Sequence, residues 1–306
     1  MSIVFMNGAF VPLAEARISV RTNALHYGTG LFEGIRGYWN AERRELYVFR
    51  LEEHCERLVR NARVLRLALP YPAETLADLT VELCRRNGHR EDVYIRPIAF
   101  VAAEGLAPKL VGYEIALAIY TLPLGDYIDT QRGLRVMVSS WRRIEDTMIP
   151  ARCKVTGGYI NSALATTEAL EAGCDEAILL NHDGSVSEGA GENIFLVRDG
   201  VLITPPRTAN ILEGITRDAI IRLARADLGL EVLERSVDRT ELYVADEVFF
   251  CGTGAQVSPI VEIDRRAVGD GKPGPITSAI QGLYFRVVRG EAPGYLDWCT
   301  PVYGAP

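Results

Sequence analysis

Asp183-Gly-Ser-Val-Ser-Glu-Gly-Ala-Gly-Glu-Asn-Ile-Phe-Leu-Val-Arg-Asp-Gly-Val-Leu-Ile203 carries two Asp-Gly pairs, at 183–184 and 199–200, between short β-rich runs. Asp-Gly supplies the positive φ of a tight hairpin turn. Glu176–Leu180, Asn193–Val197 and Val201–Ile203 therefore read as hairpin-linked strands. The same device opens the chain, where Ile3–Met6, the turn Asn7-Gly8 and Phe10-Val11 predict a hairpin. Leu46–Phe49 is a further strand. Apolar residues at 51, 55, 58, 62 and 65 predict a helix that stops before Pro70. A second helix is expected over Ala73–Arg86, and β-rich runs cover Asp92–Val101 and Tyr113–Tyr120. Beyond them the pattern predicts a strand at Leu134–Ser139, a helix over Gly158–Gly173 and a helix over Thr216–Asp227. Strands at Glu231–Leu233, Glu247–Cys251 and Val257–Ile263 follow, then a helix from about Ile276. Hairpin turns outnumber long crossovers, which predicts α/β (α+β) domains with antiparallel or mixed sheets. Pro123 and Gly125 mark a linker over 121–132 between a smaller N-terminal domain, 1–120, and a larger C-terminal one, 133–306. A ligand is expected in the cleft between two such domains.

The 306 residues carry 33 basic and 40 acidic side chains, a net charge of −7, and basic residues cluster no further than doublets such as Arg142-Arg143. Nucleic-acid binding needs a basic face, so it is not expected. No window approaches the roughly 18 apolar residues of a membrane span. The opening residues have no basic segment ahead of an apolar stretch, so no secretory leader is read there and a cytoplasmic protein is expected. The six cysteines form no C-x-x-C pair and read as reduced thiols. The four histidines, at 26, 54, 89 and 182, lack the i, i+4 spacing of a zinc helix, and no metal site is expected.

Only three of the 33 basic side chains are lysine: Lys109, Lys154 and Lys272. Lysine forms an imine with a carbonyl compound at neutral pH and arginine does not. Lys109 and Lys272 sit in Pro/Gly loops and read as solvated. The Gly269–Gly274 segment matches G-x-G-x-x-G but holds Pro273 where that motif needs a helix, so it reads as a surface turn. Lys154 lies in Pro150-Ala-Arg-Cys-Lys-Val-Thr-Gly-Gly-Tyr159, before a predicted helix, with glycines that permit close backbone approach and the phenol of Tyr159 nearby. In the 187–193 segment, Glu188 and Glu192 flank small residues against which a flat ring can lie, and a carboxylate there can keep a pyridine nitrogen protonated. Glu213-Gly-Ile-Thr-Arg-Asp218 opens a helix and offers the amides of Ile215 and Thr216 to an anion. Cys251-Gly-Thr-Gly254 offers Thr253 in a glycine turn. Arg57 can clamp a dianion bidentately.

Together these segments, with His26-Tyr-Gly-Thr-Gly-Leu-Phe-Glu-Gly-Ile-Arg-Gly-Tyr38 and Tyr94-Ile-Arg-Pro97, resemble fold-type IV (class IV) pyridoxal-phosphate aminotransferases, and most closely the branched-chain amino acid aminotransferases. The resemblance implies a D-amino acid aminotransferase-like two-domain fold with pyridoxal 5'-phosphate in the interdomain cleft. It implies that Lys154 joins the cofactor and carries the proton, that Tyr159 donates to its phenolic oxygen, and that Glu188 meets its ring nitrogen with Glu192 in support. Arg57, Ile215, Thr216 and Thr253 would hold the phosphate. Tyr94, Thr253 and Gly254 would take the substrate α-carboxylate, Arg96 with Tyr27 the distal carboxylate of glutamate. Phe32, Gly34, Arg36 and Tyr127 would line the side-chain pocket. The implied reaction is reversible ping-pong transfer of the amino group of leucine, isoleucine or valine to 2-oxoglutarate, by a homodimer or a trimer of dimers. The alternatives within the fold are D-amino acid transamination and aminodeoxychorismate lyase. Leu124 and Gly254 depart from the tryptophan and alanine frequent among bacterial relatives, which adds (R)-primary amines as an expected side activity.

Overall fold

The computed structural model describes residues 2–125 and 132–304. The chain divides into two compact units, each discontinuous in sequence: 1–125 with 153–157 and 286–306, and 126–152 with 158–285.

In the first unit the Asn7-Gly8 hairpin forms as its sequence predicts, with Val4 opposite Val11. The sheet order is Cys299–Pro301, Glu45–Phe49, Ile35–Asn40, Val93–Val101, Ile115–Pro123, Ile3–Met6 and Ala9–Pro12, with Gly30–Phe32 also paired to Val93–Val101. Every one of these pairings is antiparallel. The strand expected over 113–120 runs instead to Pro123, because Val93 pairs with it. Helix α1 (Asn23–Tyr27) is short and ends on the left-handed Gly28. Helices α2 (Leu51–Val64) and α3 (Ala73–Asn87) lie where apolar periodicity puts them, and α3 ends on the left-handed Gly88. Leu51, Cys55, Leu58 and Ala62 of α2 join Leu76 and Leu83 of α3 and Ile35, Val48 and Ile95 of the sheet in one buried cluster. A cut at 121–132 alone would assign Cys299–Pro301 to the second unit, yet it is hydrogen-bonded to Glu45–Phe49 of the first.

In the second unit the order is Val186–Gly189, Glu176–Leu180, Leu134–Arg142, Gln256–Ile263, Glu247–Gly252, Asn193–Arg198, Val201–Thr204 and Val232–Glu234, with Arg266–Ala267 folded back on Gln256–Ile263. Leu134–Arg142 is parallel to both neighbours, and Val201–Thr204 is parallel to Val232–Glu234. Parallel neighbours need a crossover. Helix α4 (Tyr159–Glu171) lies between Leu134–Arg142 and Glu176–Leu180 in the chain, and α5 (Ile215–Ala226) between Val201–Thr204 and Val232–Glu234. Helix α6 (Pro275–Val288) follows the sheet. A single turn of tighter helix, Thr156–Gly158, precedes α4, so the α-helix starts one residue later than its sequence suggests. No helix among the described residues is long and apolar enough to cross a membrane.

Glu45, buried, accepts the amides of Leu46 (2.9 Å), Val302 (2.9 Å) and Tyr303 (2.7 Å) on one carboxylate oxygen and so latches the end of the chain to the first sheet. Glu45→Ala strands those buried amides, and its expected effect is a loss of about 1–3 kcal/mol in unfolding free energy. Hydrogen exchange at Val302 and Tyr303 should accelerate with it; unchanged protection there would show that the carboxylate is not the latch.

Candidate active site

In the first unit, Lys154 is held by its own main chain. The Phe32 amide donates to the Lys154 carbonyl (3.0 Å), the Gly157 amide to Gly28 O (3.1 Å), and the Thr156 hydroxyl to Gly28 O (2.7 Å). Leu31 and Val155 form an antiparallel bridge between these contacts. The approach is close: Gly28 has φ +61°, and a Cβ there would collide with the Gly157 main chain. Gly28 is therefore needed for the lysine segment to reach this place, and a side chain at Gly157 would press on the Gly28 main chain. Lys154 Nζ lies 5.6 Å from the centroid of the Phe32 ring. The same ring carries the Arg96 guanidinium at 4.3 Å, and Arg96 Nη2 donates to the Tyr94 hydroxyl at 2.7 Å. Gly34 makes room for that phenol, since a Cβ at 34 would occupy the Tyr94 oxygen. Arg96 Nε is buried and has no hydrogen-bond partner among the described residues. Five of the predicted residues, Phe32, Gly34, Tyr94, Arg96 and Lys154, are thus brought together.

Glu33, between Phe32 and Gly34, is fully buried. It takes a fork from Arg57, Nε to Oε1 and Nη2 to Oε2, both at 2.7 Å, and His54 Nδ1 lies 2.8 Å from Oε2. His54 and Arg57, three apart on α2, share its buried face. Burial pushes the Glu33 carboxyl up, but Arg57 and His54 outweigh it and hold the group well below the usual carboxylate range. Burial pushes His54 down, so the ring is neutral and donates its Nδ1 proton to Glu33. Arg57, predicted from sequence as a phosphate clamp, therefore has two donors committed to Glu33, which fixes the plane of its guanidinium. The signal for Glu33 in the sequence is an acid inside the run Leu31-Phe32-Glu33, where a strand should be apolar.

Two further predicted residues of this unit hold main-chain carbonyls, and one of them, Arg36, is the cross-strand partner of Tyr94. Arg36 is buried and donates to Leu124 O (3.1 Å) and Gly125 O (2.9 Å), holding main chain. The Tyr27 hydroxyl donates to Leu106 O at 2.6 Å. Tyr127 lies outside the described residues.

In the second unit, Glu188 is buried and its carboxylate is gripped from two sides. Arg143 Nη2 lies 2.8 Å from Oε1, while Asn193 Nδ2 (2.8 Å) and the Leu212 amide (3.0 Å) both donate to Oε2. Three donors, one of them a guanidinium, favour the ionised form. Arg143 is itself anchored through Nε to Asn210 O at 3.1 Å. Gly214 caps α5 and, having no side chain, offers no capping hydrogen bond of its own to the first amides of the helix, Ile215 and Thr216. Thr253 and Gly254 form the turn between Glu247–Gly252 and Gln256–Ile263. Tyr159 is the first residue of α4. Glu192 folds back on the Gly191 amide at 3.0 Å, bracing its own turn. Arg143 and Asn193 escaped the sequence reading: Arg143 looked like half of a basic doublet, and Asn193 like the first residue of a strand.

Residues 30–263 match the amino-transferase class IV family. The chain belongs to that family. Among relatives of this class IV aminotransferase, the probable branched-chain-amino-acid aminotransferase of Aquifex aeolicus is 54% identical over 303 residues, covering 99% of this chain and 97% of the relative. The branched-chain aminotransferase of Thermoproteus uzoniensis, solved with norvaline, is 48% identical with a TM-score of 0.94, covering 98% of this chain and 99% of that one. The branched-chain amino acid aminotransferase of Thermobaculum terrenum, solved in its PLP-form, is 41% identical with a TM-score of 0.95, covering 99% of each chain.

Glu33→Gln leaves the Arg57 cation buried beside a neutral amide, and the expected cost is about 3 kcal/mol of unfolding free energy at pH 7. A carboxyl whose pKa is depressed on folding stabilises the fold above its unfolded value, 4.5, and that contribution declines as pH falls further. Urea unfolding at pH 7 and below pH 4 should therefore show the gap between parent and variant narrowing in acid; a gap independent of pH would refute the ion pair.

Proposed function

We propose that this class IV aminotransferase uses pyridoxal 5'-phosphate to move the amino group of branched-chain L-amino acids to 2-oxoglutarate, yielding branched-chain 2-oxo acids and L-glutamate. The donor set fits the cofactor. It comprises an amine on a rigid segment, a buried carboxylate kept ionised, a helix N-terminus without a side-chain cap and a threonine–glycine turn. When bound, the cofactor supplies a protonated pyridine ring that accepts the charge left on a substrate carbon as its proton departs.

The chain's own residues do the rest. Lys154 Nζ would hold the cofactor and would move the proton taken from the substrate Cα. Glu188 keeps the ring nitrogen protonated. Asn193 and the Leu212 amide donate to Oε2 and Arg143 lies against Oε1, which holds the carboxylate in one orientation. Tyr159 would donate to the phenolic oxygen, and the Ile215 and Thr216 amides with Thr253 and Arg57 would bind the phosphate. The observation that carries the substrate reading is the cluster of Lys154, Phe32 and Arg96. Phe32 offers an apolar wall for leucine, and the buried Nε of Arg96, unpartnered among the described residues, offers a donor for the distal carboxylate of glutamate. The reading includes a homodimer or a trimer of dimers, supported by the exposed apolar side chains Ile18, Val20 and Leu25. It also includes a cytoplasmic location, supported by six cysteines that form no disulfide.

With L-leucine and 2-oxoglutarate the protein should form L-glutamate and 4-methyl-2-oxopentanoate in equal amounts, and Lys154→Ala should reduce the rate by about 10³-fold or more. Turnover of D-alanine in place of L-leucine would favour the D-specific alternative, and product formation without a 2-oxo acid would favour a lyase. Arg96→Met should raise KM for 2-oxoglutarate by roughly 10- to 100-fold while leaving the half-reaction with L-leucine within about threefold, since only one substrate carries the second carboxylate. Equal losses for both substrates would remove Arg96 from that role.

A further inference from the structure

Asn193 stands where three segments of the second unit meet. Its Nδ2 donates one proton to Glu188 Oε2 at 2.8 Å and the other to Leu212 O at 2.9 Å. The Leu212 amide donates to the same Glu188 oxygen at 3.0 Å, which closes a ring of three hydrogen bonds. Leu212 lies two residues before Gly214, the cap of α5. Asn193 Oδ1 packs directly on that glycine, where a Cβ would collide with it. Across the sheet Asn193 pairs with Cys251, so the Thr253 turn follows at once on the neighbouring strand. Asn193 and Glu188 are both at least nine-tenths buried, and both Nδ2 protons of Asn193 are used within this junction.

A hydrogen-bonded amide with two fixed partners sets the distance between them. The partners here are the carboxylate assigned to the ring nitrogen and the main chain that leads into the phosphate-binding amides. We infer that Asn193 is a positioning residue that fixes the spacing between the ring-nitrogen contact and the phosphate contact, so that one cofactor engages both at once. This rests on the cofactor reading above. A ligand that spans two contacts gains from each only when their separation matches its own length. Loss of Asn193 should therefore weaken the joined ligand more than its separate parts. Asn193 touches neither end of the reaction and acts through Glu188 and α5.

The test uses the full chain freed of cofactor and titrated with three probes: pyridoxal 5'-phosphate, pyridoxal and inorganic phosphate. Parent protein should prefer pyridoxal 5'-phosphate over pyridoxal strongly. Asn193→Ala should reduce that preference by about tenfold, with affinities for pyridoxal and for inorganic phosphate each within about threefold of the parent. Asn193→Ser keeps a donor in a shorter side chain and should fall between the two; it also serves if the alanine variant does not fold. An unchanged preference in a folded variant would overturn the inference, as would equal weakening of all three probes, the pattern of local structural damage. A parent protein that binds pyridoxal no less tightly than its phosphate would overturn the cofactor reading itself, and the inference with it.

Discussion

The first unit depends on a short antiparallel splice: the main chain of 154–157 is hydrogen-bonded to that of 28–32, and the glycine at 28 is what allows the two segments to touch. Lysine is a flexible side chain, and the catalytic role proposed for Lys154 requires its amine to return to one place many times. Fixing its carbonyl to the Phe32 amide removes the backbone part of that freedom. The same three-residue run then does several things at once. Phe32 faces the amine and Arg96, Glu33 turns inward to hold Arg57 and His54, and Gly34 clears the space taken by the Tyr94 phenol. Alternation of side chains along an extended segment is the reason neighbouring residues serve opposite purposes.

Both units use a buried carboxylate as a fixed acceptor, with opposite ends in view. Glu33 is saturated by Arg57 and His54 within the protein, which makes it a support for the guanidinium. Glu188 has one oxygen that accepts from two neutral donors and the other held by a cation, which favours its charged form, as the proposed contact with a ligand nitrogen requires. A lone buried carboxylate would take up a proton and lose that capacity.

Much of the fold was legible. The Asn-Gly and Asp-Gly turns, the periodicity of α2 and α3, and the run Leu134–Ser139 with α4 behind it are local signals. Gly30–Phe32 and Ile35–Asn40 were not seen as strands because almost all their residues are buried, which erases the alternation that marks a half-exposed strand. Cys299–Pro301 was missed because its partner strand lies some 250 residues earlier. Within the site, Lys154 was conspicuous by the rarity of lysine, and Glu188 by the small residues beside it. Arg143, Asn193 and Glu33 were not, since their roles come from partners brought near only by folding. Arg36 and Tyr27 also hold main-chain carbonyls of segments distant in the chain, contacts that leave no local signal.

The central claim is that the amine at 154, alone among three lysines, carries the covalent chemistry. Borohydride reduction of the protein incubated with pyridoxal 5'-phosphate, followed by proteolysis and mass spectrometry, tests it directly. The account predicts one phosphopyridoxyl group, on the peptide containing Lys154; a label on Lys109 or Lys272 instead, or no label on any lysine, would contradict it.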